Sequence, residues 1–255
     1  MPLWLILIAD NRTLYWQAKP KKEKNTMALP WKVLDQFTTE DEGVLELRQR
    51  GAGDFLITLG PQVLMNSKAQ RSEMALGKLG CQSLKSHPAP RVLVGGLGMA
   101  ITLRAVLDQL PETAEVVVAE LNPVIHQWCL GPLAELTGGA TSDPRVTVEI
   151  GDVAELIKKS PKNQFDAVIL DLYRGPGPQT DRLKDPFYGS QAIAHTLVAL
   201  NPGGTFAIWG ENPDSGFEGR LTSGGFTVRC ERPGKGGYRH AVWVATKKSQ
   251  KRINR

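Results

Sequence analysis

The chain of 255 residues is poor in the side chains that carry metal and disulfide chemistry. Its three cysteines, Cys81, Cys129 and Cys230, and its four histidines, His87, His126, His195 and His240, are scattered. No CxxC pair and no Cys/His ligand spacing occurs, so neither a metal site nor a disulfide framework is expected. The cysteines read as reduced core or surface residues of a cytoplasmic protein. Long apolar runs are also missing. Leu3 to Ala9 is only seven residues long, whereas a membrane-spanning helix needs about 20. A signal peptide would place positive charge before such a run, and Met1 and Pro2 carry none. Residues 1–27 are therefore expected to form a disordered extension, or residues 1–26 to be an upstream misreading of the start with Met27 as the functional first residue.

A basic surface is lacking as well, although the net charge is +5. Residues 1–27 hold five basic and two acidic side chains and residues 246–255 five basic ones, which leaves the intervening stretch at −3. Basic ends of this kind are usually solvated tails. No aromatic residue is interleaved with the C-terminal charges, so a nucleic-acid partner is not expected. With 41% hydrophobic and 22% charged residues, the rest is an ordinary globular composition.

What is present is a strand, a glycine turn and a helix. Val92-Leu93-Val94 is a continuous apolar run of the kind found in a buried parallel strand. Gly95-Gly96-Leu97-Gly98-Met99-Ala100 follows, and Glu120 ends the next apolar run, Val116 to Ala119. A dinucleotide fingerprint needs a third glycine at the position of Ile101, where it permits close helix packing around a pyrophosphate. Its absence argues against NAD or FAD and suits a nucleoside without phosphates, such as S-adenosylmethionine.

Along the chain, residues 43–65 read as about three short antiparallel strands, a small β-rich unit assigned to residues 28–66. A helix over 66–80 leads into the main domain, 67–246. Strands at 92–94, 115–119, 146–150, 167–170 and 204–209 alternate with helices at about 98–109, 123–136, 153–159 and 187–200. That alternation predicts a parallel sheet covered on both faces. Phe226–Cys230 and Ala241–Ala245 are separated by too little chain for a crossover helix and should pair as an antiparallel hairpin. The expected fold is α/β, a class I methyltransferase-like, mostly parallel sheet closed by a C-terminal hairpin. Residues 247–255 read as a basic tail.

Ligands in such sheets bind at the carboxyl ends of the strands. Those ends carry the Gly95–Gly98 turn, Glu120, Gly151-Asp152 and Asp171 in order. Glu120 would accept hydrogen bonds from ribose hydroxyls. Asp152 would accept from an adenine amine, or cap the helix that starts at Val153, whose backbone amide faces a ring nitrogen. Asp171 lies nearest the reacting carbon and would accept a proton. The Arg174 to Asp181 loop follows it directly and reads as a lid.

Arg91 to Gly98, Glu120, Asp143-Pro144-Arg145-Val146, Gly151-Asp152, Phe165 to Asp171, Phe187-Tyr188 and Leu200-Asn201-Pro202-Gly203-Gly204 together resemble the spermidine synthases in order and spacing. The resemblance covers roughly residues 43–245. It implies transfer of an aminopropyl group from decarboxylated S-adenosylmethionine to an amine, a homodimer, a nucleoside site at Gly95, Gly96, Gly98, Glu120, Asp152 and Val153, and a proton-accepting Asp171. Tyr173, Arg174, Tyr188 and Arg71 fall where that family holds its substrate and lid.

Three departures bear on the reaction. Leu97 stands where the family's turn holds an acid, Asp171-Leu172-Tyr173-Arg174 replaces a run with a second acid, and Arg71-Ser72-Glu73 replaces Tyr-His-Glu. Arginine beside a dication is repulsive, so Arg71 and Arg174 argue against putrescine. Without the turn acid, ordinary S-adenosylmethionine is favoured over the decarboxylated donor. Methyl transfer to a neutral or anionic small-molecule acceptor is therefore expected, with aminopropyl transfer or a catalytically silent nucleoside-binding scaffold as alternatives.

Overall fold

The computed structural model describes residues 29–39, 43–235 and 239–249. The expected extension over 1–27, and most of the basic tail, lie outside the described residues. The N-terminal unit has four strands rather than three, in the order β1 (Lys32–Thr38), β2 (Val44–Arg50), β3 (Asp54–Leu59) and β4 (Gln62–Asn66). β1 escapes a hydrophobicity pattern because it is an edge strand with all seven residues exposed. It is tied instead by a polar contact, the Trp128 indole N–H donating to Asp35 Oδ2 at 2.8 Å. Leu45, Leu47, Phe55 and Ile57 turn the buried face of this sheet into the same core as the main domain.

The second sheet has seven strands: β5 (Arg91–Gly95), β6 (Glu115–Glu120), β7 (Val146–Ile150), β8 (Phe165–Leu170), β9 (Leu200–Gly210), β10 (Phe226–Glu231) and β11 (Ala241–Lys247). Their spatial order is β10-β11-β9-β8-β5-β6-β7. β5 through β9 are parallel, and β11 runs antiparallel between β9 and β10, as the hairpin reading requires. β8 is buried along its whole length, which is what an uninterrupted apolar run dictates. No helix among the described residues is long and apolar enough to cross a membrane.

Several boundaries move for local reasons. The helix expected from 66 begins only at Arg71, as α1 (Arg71–Gly80), because β4 occupies 62–66. The one expected from about 98 is α2 (Ile101–Leu107), since Gly98 and Ala100 hold φ of 52° and 59° and cannot be helical. α3 (Pro123–Leu130) stops at Gly131-Pro132 rather than at 136. α4 (Val153–Lys159) matches its expected span, and α5 (Ser190–Ala199) starts three residues late, after a turn in which Asp185 Oδ1 accepts from the amides of Phe187 and Tyr188.

A helix was also missed. α6 (Ser215–Ser223) contains Gly216 and Gly219, poor helix formers, but Asp214 caps it by accepting from the Phe217 amide at 2.7 Å, and Phe217 and Leu221 bury its inner face. Lys247 is not in the tail: it ends β11 and its ammonium donates to the Leu200 carbonyl at 2.6 Å.

Candidate active site

The sheet changes direction at β5, from which the chain moves outward through β6 and β7 and then returns to β8 on the other side. The crevice at the carboxyl ends of these strands is where such sheets bind ligands. Gly96 leaves β5 with φ of 88°, and its amide donates to the Ala119 carbonyl at 2.9 Å. A Cβ on Gly96 would collide with the Asp171 carbonyl oxygen, and one on Gly98 with the Met65 sulfur of β4. The turn is thus glycine because β8 and the N-terminal sheet both close on it.

Glu120 is the buried anchor of the turn. Its Oε2 accepts from the Leu97 amide and its Oε1 from the Asn122 amide, both at 2.9 Å. Burial pushes the carboxyl above its ordinary range, while these backbone N–H groups oppose the shift. Asp152 is exposed and caps α4, Oδ1 accepting from the Ala154 amide at 2.8 Å. Val153 is buried behind it against Gly95. The structure therefore brings Gly95, Gly96, Gly98, Glu120, Asp152 and Val153 to one rim.

Asp171 begins the next rim. Its amide donates to the Gly95 carbonyl at 2.9 Å, and its Oδ2 accepts the Thr102 hydroxyl at 2.5 Å. Enclosure of the carboxyl and the nearby negative charge of Glu73 push it up to about 7, against the Thr102 hydrogen bond, which lowers it. A carboxyl that titrates near neutrality is matched to general-base work. Glu73 sits on the first turn of α1, where its Oε2 accepts the Ser72 hydroxyl at 2.7 Å. Ser72 Oγ also lies 2.9 Å from Nδ1 of His240, and the His240 ring meets Trp209 edge-on at 4.9 Å between centroids. Thr102, Ser72, His240 and Trp209 were not singled out from the sequence. Only Trp209 carried a usable signal, since it stands at the carboxyl end of the fifth parallel strand.

The remaining expected residues are dispersed around this rim. Tyr188 is buried and supports the loop after Asp171 from beneath: its hydroxyl donates to the Arg174 carbonyl at 2.8 Å and its ring packs on Phe217. Burial raises its phenol well above the ordinary value. Tyr173 and Arg174 are exposed, with the guanidinium 5.2 Å over the tyrosine ring. Arg71 is exposed and lies against Gly234 in the connection between β10 and β11. A groove of about 440 Å³ runs beside the site along α4, touching Gly151 and Asp152 at one end and Gln164 and Phe165 at the other, so it flanks the rim without containing Asp171. No cluster of three or more potential metal ligands occurs among the described residues.

Residues 77–215 match the spermine/spermidine synthase domain. The chain is 29% identical over 182 residues to a spermine synthase of Arabidopsis thaliana, covering 71% of this chain and 48% of that protein. It is 32% identical over 130 residues to putrescine N-methyltransferase 3 of Nicotiana tabacum, covering 51% of this chain and 32% of that protein. The chain thus spans about half or less of the length of these relatives. Among solved structures, the spermidine synthase of Thermotoga maritima superposes with a TM-score of 0.67 at 21% identity, covering 86% of this chain and 74% of that one, a likeness of fold. With a domain match over more than half its length, a glycine turn anchored by Glu120 and an enclosed acid at the end of β8, the chain belongs to the spermine/spermidine synthase family.

Proposed function

We propose that the chain is a transferase that binds S-adenosylmethionine and moves its methyl group to an amine acceptor. The observation that carries this reading is Leu97, 4% exposed in the glycine turn after β5, with the half-buried Asp171 at the end of the neighbouring strand β8. A decarboxylated donor presents a bare ammonium and gains from an acid in the turn. Leucine there offers none, whereas the carboxylate of the ordinary donor tolerates its absence. A putrescine N-methyltransferase among the similar proteins supports methyl transfer as a family chemistry.

The residues present fit such a nucleoside. Glu120, held by backbone N–H groups at the end of β6, would accept from ribose hydroxyls. Gly96 and Gly98 add no side chain to the turn, and the exposed Asp152 would accept from an exocyclic amine. Bound there, the group supplies a sulfonium-activated carbon. Asp171 would take the proton of the amine with the oxygen not committed to Thr102, and Thr102 fixes the carboxyl plane. The loop anchored by Tyr188 at Arg174, and by the Gly175 amide donating to Glu211 Oε2 at 3.3 Å, would exclude water.

One observation favours aminopropyl transfer instead: Glu73 stands beside Asp171, and two acids suit a diamine. Calorimetric titration separates the readings. S-Adenosylmethionine or its demethylated product should bind at least about tenfold tighter than decarboxylated S-adenosylmethionine, the value of one charge-assisted hydrogen bond. Tight binding of the decarboxylated donor alone would overturn methyl transfer. A homodimer fits the exposed Val33, Leu34 and Phe37 on edge strand β1, and light scattering would test it.

A further inference from the structure

Ser72, His240 and Trp209 have no part in holding the nucleoside or in the work assigned to Asp171, yet they converge on the same rim. Leu170 pairs with Ile208 in the parallel register of β8 and β9, so Asp171 and Trp209 are the next residues on neighbouring strand ends. Adjacent strands are about 5 Å apart. Trp209 in turn pairs with Val242 of β11, which brings His240 over the same edge. The first turn of α1 adds Ser72 and Glu73.

The hydrogen-bond inventory fixes what each group offers. Ser72 has one hydroxyl proton, and Glu73 Oε2 receives it at 2.7 Å. The Ser72 oxygen also lies 2.9 Å from His240 Nδ1, which ties the imidazole to the first turn of α1. That pins the imidazole, whose ring packs against Trp209 with the planes 63° apart. Trp209 Nε1 is a donor and nothing else, and it is buried with no hydrogen-bond partner among the described residues. A buried donor in that state is unfavourable, so it gains from any ligand atom that accepts. Arg71 precedes Ser72 at the start of α1 and adds positive charge to that turn, its exposed side chain lying against Gly234.

The acceptor side is therefore two-ended. Glu73 and Asp171 form an acidic pole, and Trp209 Nε1 with Arg71 forms a donating, positive one. A polyamine suits only the first pole: its protonated nitrogens have no lone pair for the indole N–H. We propose that the acceptor is a short zwitterion, an amine seated at Asp171 and Glu73 whose carboxylate accepts from Trp209 and faces Arg71. His240, held by Ser72, is a positioning residue that keeps the indole in place. The proposal rests on the transferase reading above and names its substrate class. In the transfer, the ammonium gives one proton to Asp171 and its nitrogen forms the new N–C bond as the donor's S–C bond breaks with its electron pair left on sulfur. The product is a methylated ammonium.

The test is calorimetry on the full chain saturated with S-adenosylhomocysteine. The probes are straight-chain ω-amino acids from glycine to 6-aminohexanoate, each paired with the diamine of matching length. At least one ω-amino acid should bind about tenfold tighter than its diamine, as expected for a hydrogen bond to a charged group. In Trp209→Phe, which keeps the ring and removes the donor, that preference should collapse to near unity. The Trp209 indole N–H proton resonance should move downfield with the ω-amino acid and not with the diamine. Diamines that bind as tightly or more tightly, failure of every ω-amino acid to bind, or a preference unchanged in Trp209→Phe would overturn the acceptor assignment alone. Failure of S-adenosylhomocysteine itself to bind would overturn the transferase reading, and this one with it.

Discussion

The proposed nucleoside rim and the proposed acceptor rim sit on one sheet but are assembled differently. The first is built from consecutive strand ends and from backbone: Glu120 holds the Leu97 and Asn122 amides, and Asp152 caps the helix it opens. The second is built from side chains, with Thr102 on Asp171, Ser72 on Glu73 and His240 on Ser72, drawn from α1, α2, β8 and the approach to β11. A rim of backbone contacts is carried by the fold itself and tolerates little change. One made of side-chain hydrogen bonds can be re-specified residue by residue while the fold persists, and the chain is similar both to a polyamine aminopropyltransferase and to a putrescine N-methyltransferase.

The comparison breaks first at Asp171. Asp171→Asn should lower turnover about 10²- to 10⁴-fold, the range for loss of a general base, with nucleoside affinity nearly unchanged by calorimetry. The same substitution should stabilise the protein above neutrality. The folded carboxyl keeps its proton up to about 7, while the unfolded one releases it near 3.8. The folded state thus binds more protons between these values, and wild-type stability should fall as pH rises through that window. Denaturant unfolding at pH 8 should show the variant gaining up to about 4 kcal/mol, at about 1.36 kcal/mol for each unit of displacement, and losing the advantage near pH 4.

On the other rim, Glu120→Ala deprives the Leu97 and Asn122 amides of their acceptor and removes the proposed ribose contact. Nucleoside affinity should drop at least about 100-fold, and turnover should follow the loss of binding rather than exceed it. Gly96→Ala acts through the backbone: φ of 88° and the Asp171 carbonyl both reject a Cβ. A cost of about 2 to 3 kcal/mol is expected, seen as a thermal midpoint about 5 to 10 °C lower. An unchanged midpoint would mean that the turn is looser than its contacts imply.

The same division explains what could be read from the sequence. The parallel strands, the closing hairpin and the acids at Glu120, Asp152 and Asp171 follow from local runs and their order, because a strand end fixes where the next residue points. β1 was hidden since an exposed edge strand shows no period, and α6 since its glycines outweigh a helical pattern that tertiary packing restores. Ser72, Thr102 and His240 were hidden for a different reason. Ser72 and His240 are 168 residues apart, and Thr102 is 69 residues from Asp171, so no spacing rule links them. Arg71 and Arg174 were read from their charge, and the structure shows both as exposed, one lying against a hairpin connection and the other over Tyr173.

The smallest effect is the sharpest probe of the side-chain rim. Ser72→Ala removes one hydroxyl that is 6% exposed, and Glu73 and His240 lose their link. Stability should change by about 1 kcal/mol, the net worth of a typical hydrogen bond, and nucleoside affinity should not move. The informative readout is the ring itself. In the wild type the 2.9 Å contact with Ser72 Oγ holds Nδ1 of His240, and the ¹⁵N shift of Nδ1 should report that hydrogen bond. Without the serine oxygen Nδ1 loses that contact, so its signal should move away from the wild-type value. If it stayed at the wild-type value, the Ser72 contact would not be what holds the ring, and the side-chain rim would owe its order to packing against Trp209 instead.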